Sequence, residues 1–253
     1  MFSQVLQKTT QEIAQEIVAA YNSSSGIFSN KINAEDLTPV TTIDNKIQYL
    51  FWVIQLDYAT KSSLLYKNAH NLWEDNNQWV SVDYLQSIPD KELMNMILTK
   101  LHPRYPKEIY IRFKTNADKL KSDYSSKAIN IVKNSDSANE LLKRIRDFRG
   151  FGPKLGNLLT RTYIDILDLK YNDLDSIMPP VDIHDVRQTY EWGLINDKSM
   201  TNKNINTVKK IWNRACIESK VSWIKFDKAL WLLGSEGKRT GNLAKDFDDN
   251  LGL

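Results

Sequence analysis

Cysteine is nearly absent from this chain of 253 residues, which contains only one, Cys216. A disulfide requires two cysteines and an iron–sulfur cluster is typically held by four, so the chain builds neither from its own residues. Its three histidines, His70, His102 and His184, follow no metal-ligand spacing. We therefore expect no metal and no cofactor, and the scarcity of cysteine favours a reducing compartment.

Long apolar runs are missing as well. No uninterrupted apolar stretch approaches the roughly 20 residues that span a membrane, and the first residues lack the apolar core of a signal peptide. Intrinsic disorder is disfavoured because 10% of the residues are aromatic, seven of them tryptophan. These absences predict a cytoplasmic protein without a membrane partner, long enough for one sizeable domain or two small lobes.

Helical periodicity runs through almost the whole chain. Apolar residues recur at helical spacing over 5–18, 109–120 and 205–215, and the first of these stripes predicts a helix over about the first 20 residues. The apolar run 49–54 fits a buried strand or a buried helix, and the lack of partner strands nearby favours a helix. No alternating strand pattern of any length appears, so the predicted fold class is all-α.

Charge is distributed unevenly, although the formal net charge is only +3 at pH 7. Segment 100–161 contains 15 Lys or Arg against 6 Asp or Glu, a balance of +9, while the rest of the chain has 19 against 25, or −6. Clustered cations attract phosphates and release counterions on binding, which favours a surface that meets nucleic acid. Solvated helix faces rich in Lys and Arg are the alternative on charge alone.

Residues 141–164 predict two helices joined by a tight turn. An amphipathic helix ends near Phe148, a Gly-Phe-Gly turn follows, and a second helix begins at Pro153. Gly150 and Gly152 permit the backbone angles and the close approach that such a turn needs. Proline suits the first helical position, where a missing N–H group costs nothing.

The amino end of this second helix is a candidate phosphate-binding site. Its N–H groups and positive dipole end attract anions, and Arg149 and Lys143 stand nearby in the sequence to supplement them. An ordinary antiparallel connection between two helices is the alternative.

The hairpin resembles the helix-hairpin-helix motif, whose glycine-rich turn binds a DNA phosphate through backbone amides. Downstream, Pro-Pro-Val-Asp at 179–182 resembles the Val-Asp element of the helix-hairpin-helix DNA glycosylase superfamily. The resemblance implies an all-α protein of two helical lobes with an active-site cleft between them, acting on double-stranded DNA. In that superfamily the aspartate is catalytic, and a lysine just after the hairpin glycines is the nucleophile of bifunctional members. These roles fall to Asp182 and Lys154.

The C-terminal part is similar to the archaeal 8-oxoguanine DNA glycosylase/lyase group. The likeness rests on Pro-Val-Asp at 180–182, Trp-Gly-Leu-Ile at 192–195, Val-Lys-Lys-Ile-Trp at 208–212 and Asp-Lys-Ala-Leu-Trp-Leu-Leu-Gly at 227–234. With the hairpin included, it covers roughly residues 45–234.

This likeness implies that Asp227 and Trp231 line a base pocket. They lie four apart and so share one helix face, where an aromatic ring beside a carboxylate suits a flipped-out base. Two features depart from the group. The hairpin at 150–154 is closer to the ordinary superfamily form, and Leu158 stands where an aromatic ring is expected against the base.

The chemistry of base excision fits both catalytic candidates. Positive charge develops on the sugar as the base leaves, and a fixed carboxylate such as Asp182, capping a helix, stabilises that charge. Lys154 lies in the first turn of a helix, where the dipole disfavours a cation and favours the neutral amine that attacks the anomeric carbon. A purely structural cap and a phosphate-contacting lysine are the respective alternatives.

The predicted function is therefore excision of a damaged base, 8-oxoguanine first, in base excision repair, with strand cleavage through a lysine Schiff base. One alternative is another modified base, such as a glucosylated pyrimidine in phage DNA, removed in antiviral defence. Others are a modified free nucleotide as substrate and a non-catalytic DNA-binding module. We expect a monomer associated with the nucleoid through DNA.

The predicted organisation has three parts. Residues 1–42 form an N-terminal helix and linker, 43–239 form the glycosylase core, and 240–253 form a weakly ordered tail. Within the core, the hairpin lobe takes roughly 60–165, and the second lobe combines the N-terminal helices with 180–235.

A glycine-containing segment at 234–240 is not explained by these elements. Its sequence, Gly-Ser-Glu-Gly-Lys-Arg-Thr, hints at a P-loop but lacks the required four-residue gap. It is interpreted as a helix-ending loop that contacts a phosphate.

Overall fold

The structure, a computed structural model, describes residues 8–31, 33–57, 61–177 and 179–253. Within these ranges the chain forms helices and no strand, which confirms the predicted all-α class. The helices are, in chain order, α1 (Thr10–Asn22), α2 (Ile43–Ile54), α3 (Ser62–Asp75), α4 (Val82–Ser87), α5 (Asp90–Met96), α6 (Pro106–Tyr124), α7 (Ile129–Lys133), α8 (Ala138–Arg146), α9 (Pro153–Ile166), α10 (Ile183–Glu191), α11 (Asn202–Ser219), α12 (Trp223–Glu236) and α13 (Leu243–Leu251). Short 3₁₀ turns occur at Gly26–Ser29, Asn77–Val80 and Leu174–Ser176, and a π turn at Ile97–Leu101. No described helix has both the length and the apolar content needed to cross a bilayer.

The chain divides into two compact units. Met1–Lys31 and Met178–Leu253 form one, which we call the terminal unit, and Ile32–Ile177 form the other, the hairpin unit. The hairpin unit extends beyond the expected 60–165 at both ends. Before it, α2 packs against α9, where the Tyr163 hydroxyl donates to the Ile47 carbonyl at 3.0 Å. After it, the Asp173 carboxylate accepts from the Ala138 amide at 2.8 Å and so caps α8.

Helix α2 lies at the centre of the hairpin unit. Every residue from Ile47 to Ile54 is buried, which explains the uninterrupted apolar run, because a helix that is apolar on all sides belongs in a core. The Phe51 ring lies 5.0 Å from the Phe148 ring and 5.4 Å from the Phe151 ring, measured between centroids. Both partners come from the predicted turn, so the core directly supports the hairpin.

The terminal unit is built on α1, which packs against α11 and α12. The helix predicted near the N-terminus begins at Thr10 with Thr9 as its N-cap, and Ile13 and Ile17 are buried as expected. The first residue of that stripe, Val5, lies outside the described residues.

The C-terminal residues differ from the expected weakly ordered tail, because 240–253 contain α13. Asn242 caps this helix by accepting from the Lys245 amide at 3.1 Å, and Phe247 and Leu251 are buried. The Ser25 hydroxyl donates to the Leu251 carbonyl at 2.7 Å. Two apolar side chains on a mostly polar helix suffice here because they pack against segments distant in sequence.

Candidate active site

The predicted pair of helices joined by a tight turn is confirmed. Helix α8 ends at Arg146 and α9 begins at Pro153. Between them the backbone turns through short hydrogen bonds, from the Phe148 amide to the Ile145 carbonyl at 3.2 Å and from the Phe151 amide to the Phe148 carbonyl at 3.3 Å. The side chains of both phenylalanines are buried, which leaves the turn's backbone on the surface side.

The two glycines of the turn serve different purposes. Gly150 has φ +91°, a conformation that favours glycine, and a Cβ there would lie 2.6 Å from the Arg112 Nε atom and displace that side chain. Gly152 is extended, and a Cβ on it would meet nothing within 4 Å. As the N-cap of α9 it provides no side-chain acceptor for the first turn, which leaves that helix end accessible to an external anion.

One face of α6 positions the turn through three residues spaced four apart, Glu108, Arg112 and Asn116, which we call the α6 row. Asn116 is fully buried, and its amide accepts from the Arg149 N–H group at 2.9 Å and donates to the Arg149 carbonyl at 3.0 Å. It also donates to the Gln55 Oε1 atom at 2.9 Å. The side chain of Asn116 thus pairs with the turn as a neighbouring backbone strand would.

The Arg149 side chain, expected to contact DNA, is engaged by Glu108. Its Nε and terminal nitrogen donate to the two carboxylate oxygens at 3.2 and 3.1 Å. Arg112 donates to the same carboxylate at 3.1 Å. Hydrogen bonds from Arg149 first, and then from Arg112, hold the pKa of the Glu108 carboxyl below its ordinary value. Arg149 remains about half exposed, so a phosphate would compete with Glu108 for it.

Helix α9 presents Lys154, Leu158 and Arg161 on one face. Lys154, in the first turn, and Leu158, one turn later, are half-buried, whereas Arg161 is buried. Arg146 at the end of α8 donates to the Asn157 side-chain oxygen at 2.7 Å and thereby ties the two hairpin helices together.

Arg161 belongs to a buried polar cluster that the sequence did not reveal. The Tyr66 hydroxyl donates to the Asp57 carboxylate at 2.6 Å, and the Ser62 hydroxyl donates to its other oxygen at 2.8 Å. Burial and the Asp57 charge raise the pKa of Tyr66, while the positive charge of Arg161 acts in the opposite direction. Arg161 lies about two turns after Lys154 along α9.

Lys143 lies in the last turn of α8 and is exposed. With Arg149, Gly150, Gly152 and Lys154 it belongs to the hairpin unit. The other three predicted site residues, Asp182, Asp227 and Trp231, belong to the terminal unit.

Asp182 is the N-cap of α10, as predicted. Its Oδ1 atom accepts from the His184 amide at 2.7 Å, and its own amide donates to the Asp185 carboxylate at 2.7 Å. The residue is 7% exposed. A carboxylate that accepts from a backbone N–H group in this way is fixed in direction.

Helix α12 carries Asp227, which is buried, and Trp231, which is partly exposed one turn later. The His184 ring lies edge-on to the Trp231 ring at 6.3 Å, and its Nδ1 atom lies 3.2 Å from the Gly234 carbonyl oxygen. Gly234 allows this approach, since a Cβ there would lie 2.9 Å from the His184 Cβ. The helices that carry Asp182 and Trp231 are therefore in direct contact.

Lys228, next to Asp227, is another residue that the sequence did not single out. It is only 3% exposed. Lysine and aspartate are almost never fully buried unless they are paired, so we expect both of these adjacent buried charges to have partners. The signal available in the sequence was a lysine within a largely apolar helical pattern.

Comparison with known proteins places the fold. No protein-family model matches the chain, and no curated protein matches its sequence. Among solved structures, the 8-oxoguanine DNA glycosylase of Thermotoga maritima, Tm1821, is similar with 18% identity and a TM-score of 0.57, over 90% of this chain and 98% of that one. The 8-oxoguanosine complex of the 8-oxoguanine DNA glycosylase from Pyrobaculum aerophilum, Pa-AGOG, matches with 14% identity and a TM-score of 0.47, over 97% and 91%. The chain thus shares the fold of the Thermotoga protein, as the resemblance implied.

Proposed function

We propose that this chain, which has the fold of a DNA glycosylase, is itself a DNA glycosylase that cleaves the N-glycosidic bond of a damaged or modified base in duplex DNA. The observation that carries the proposal is the position of Lys154, half-buried in the first turn of the helix that follows the open glycine turn. A phosphate-binding backbone and a nucleophile are then two residues apart. With 8-oxoguanine named for the Thermotoga protein, that base is the first substrate to test.

In this proposal the hairpin binds one phosphate of the strand. Gly152 leaves the amino end of α9 open, and its helix dipole attracts the anion. Lys143 is exposed at the end of α8, and segment 100–161 has its balance of +9. These contacts position the protein on DNA without reading its sequence.

Lys154 and Asp182 have the two catalytic roles in this proposal. The lysine Nζ atom attacks C1′ of the sugar, and the N-glycosidic bond breaks, so that the base leaves with the bonding electrons and takes up a proton. The Asp182 carboxylate stabilises the positive charge that develops on the sugar. The sugar ring then opens, because the C1′–O4′ bond breaks and O4′ takes up a proton given up by the lysine nitrogen, which leaves a Schiff base between Lys154 and C1′. Loss of a C2′ proton then expels the 3′ phosphate and cleaves the strand.

Asp227 and Trp231 are proposed to receive the extruded base. The partly exposed Trp231 ring offers a stacking face, and the Asp227 carboxylate offers an acceptor for ring N–H groups. Extrusion costs a few kcal/mol, least for a damaged or mispaired base, which contributes selectivity.

Borohydride trapping tests the lysine directly. Wild-type protein is expected to form a covalent adduct with an 8-oxoguanine or abasic duplex, because reduction fixes the Schiff base. Lys154→Gln is expected to lose the adduct completely. Lys133→Gln, an exposed lysine of the same unit outside the site, serves as the control and is expected to trap like wild type. Adduct formation by Lys154→Gln would remove this lysine from the mechanism.

A second candidate substrate is a different modified base, and Leu158 is the observation that favours it. Leu158 is half-buried one turn after Lys154, where an aromatic ring is expected to stack on oxidised guanine, and its aliphatic side chain leaves more room. Mass spectrometry of bases released from oxidised, alkylated and glucosylated phage DNA separates the two substrates. Release from glucosylated DNA alone would assign a defence role instead of repair.

Glu108→Gln is expected to strengthen binding to undamaged duplex about threefold at low salt, because it frees Arg149 for phosphate and removes a negative charge. The plot of log K against log salt is expected to steepen by up to about 0.9. Titration of a labelled duplex at several salt concentrations measures both. Asp118→Asn on the same helix removes an equal charge away from the turn and is the matched control. Weaker binding by Glu108→Gln would mean that Glu108 serves the turn mainly as a support.

A further inference from the structure

A cavity of about 360 Å³ opens in the terminal unit, and none of the residues proposed for base excision lines it. Its walls come from α10, the end of α12, the loop after α12, and α13. Four of the lining side chains are apolar, namely Trp192, Leu233, Leu243 and Phe247. The volume lies within the roughly 300–1,000 Å³ typical of small-molecule sites.

The polar group at the cavity wall is the amide of Gln188. The residue is only 7% exposed, and its amide makes no hydrogen bond within the part of the chain that the structure describes. An amide that lines a cavity and has no protein partner is available to water or to a ligand. The amide presents one acceptor and two donors on a single edge.

The other polar side chains of the wall are already paired. Asn250 accepts from the Lys238 amide at 2.7 Å and donates to the Lys238 carbonyl at 3.2 Å. The Asp246 carboxylate accepts from the amide and the hydroxyl of Thr240 at 2.8 and 2.5 Å. Gln188 is therefore the group whose hydrogen-bonding capacity is left for a ligand.

Two cations, Lys238 and Arg239, line the cavity, and they differ in how they are paired. Arg239 is engaged by the Glu191 carboxylate at 3.4 Å and by the Gly234 carbonyl. Lys238 is exposed, and its ammonium group has no ion pair among the described residues. Both cations come from the glycine-containing segment 234–240, for which the sequence predicted a phosphate contact.

We propose that this cavity binds an adenine nucleotide. Apolar and aromatic walls accept a flat ring, and a glutamine amide bonds the N6 and N7 edge of adenine through one donor and one acceptor. Lys238 at the mouth neutralises the phosphate. The nucleotide is either free in solution or part of a DNA strand, since both present the same base and phosphate.

Calorimetric titration of the full chain tests the proposal with adenosine 5′-monophosphate, its deoxy form, cytidine 5′-monophosphate, adenosine and inorganic phosphate. The two adenine nucleotides are expected to bind with Kd below about 1 mM. Adenosine is expected to bind about fivefold more weakly for lack of the phosphate, and inorganic phosphate not measurably. Equal binding of the cytidine and adenosine monophosphates would overturn the adenine assignment.

Gln188→Leu keeps the size of the side chain and is expected to weaken adenine nucleotide binding at least tenfold. Lys238 is exposed, so Lys238→Gln is expected to fold like wild type. This variant is expected to bind the nucleotide only as tightly as wild type binds adenosine. Lys245→Gln, an exposed lysine on α13 outside the cavity, is the matched control. Unchanged binding in both Gln188→Leu and Lys238→Gln, or no binding of any nucleotide by wild type, would refute the site.

A competition experiment distinguishes a free nucleotide from a DNA strand as the natural ligand. A single-stranded oligoadenylate that displaces labelled nucleotide from wild type assigns the cavity to a DNA strand, and failure to displace it assigns a free nucleotide. In either case the side-chain amide resonance of Gln188 is expected to shift on binding. None of these measurements involves excision, so they stand apart from the proposed glycosylase activity.

Discussion

Asp182→Asn is expected to reduce base excision by roughly 100- to 1,000-fold while the protein stays folded. The substitution removes the negative charge that stabilises the sugar cation. It retains the helix cap, because asparagine accepts from the His184 amide as aspartate does and is equally favoured at an N-cap. Single-turnover release of the base from a lesion duplex measures the loss, and thermal unfolding verifies the fold.

Two further variants separate charge from capping. Asp182→Ala is expected to lose the same activity and about 1 kcal/mol of stability, because the cap goes as well. Thr201→Ala removes the cap of α11, where the threonine hydroxyl accepts from the Asn204 amide at 3.2 Å, and is expected to cost similar stability without loss of activity. Near wild-type excision by Asp182→Asn would remove this carboxylate from the mechanism, whereas duplex binding without excision by wild type and variants alike would favour the non-catalytic DNA-binding module.

Asn116→Leu is expected to destabilise the hairpin unit by roughly 2–4 kcal/mol and to abolish tight DNA binding. The substitution leaves three groups without partners, namely the N–H and carbonyl of Arg149 and the side-chain oxygen of Gln55. Gln55 is fully buried, so water cannot replace its lost partner without opening the core. Denaturant unfolding and duplex titration at low temperature measure the two effects.

Thr115→Leu is the control for this variant. It places the same side chain on the adjacent, exposed position of α6. Its stability is expected to change by less than about 0.5 kcal/mol. If Asn116→Leu unfolds like wild type, the α6 row does not position the hairpin.

The hairpin could be predicted from sequence because its determinants are local. Gly150, Gly152 and Pro153 act within a few residues, and the flanking apolar spacing is helical. The hydrogen bonds that hold the hairpin turn in place could not be predicted, because Asn116 lies 33 residues before the Arg149 amide that it binds. Nothing local to Asn116 distinguishes it from a surface asparagine on a charged helix.

Charge counting describes a whole segment and does not show how its single residues are paired. The basic excess over 100–161 predicts a surface that meets nucleic acid, yet Arg149 within it is bound to Glu108, one of the few acids of that stretch. Pairing between distant turns of the chain depends on tertiary packing, which composition does not encode. The order of α13 was missed for the same reason, since Phe247 is buried against Trp192, 5.9 Å away between ring centroids.

The contact of Phe51 with both phenylalanines of the turn has a consequence for protein engineering. The loop proposed to meet DNA shares its hydrophobic core with the whole unit, so residues 138–166 are not portable as a peptide. In a peptide of residues 138–166 alone, the side chains of Phe148 and Phe151 would face water. Two helices this short would not stay folded without the rest of the unit. A chimaera that includes this loop must therefore also include α2.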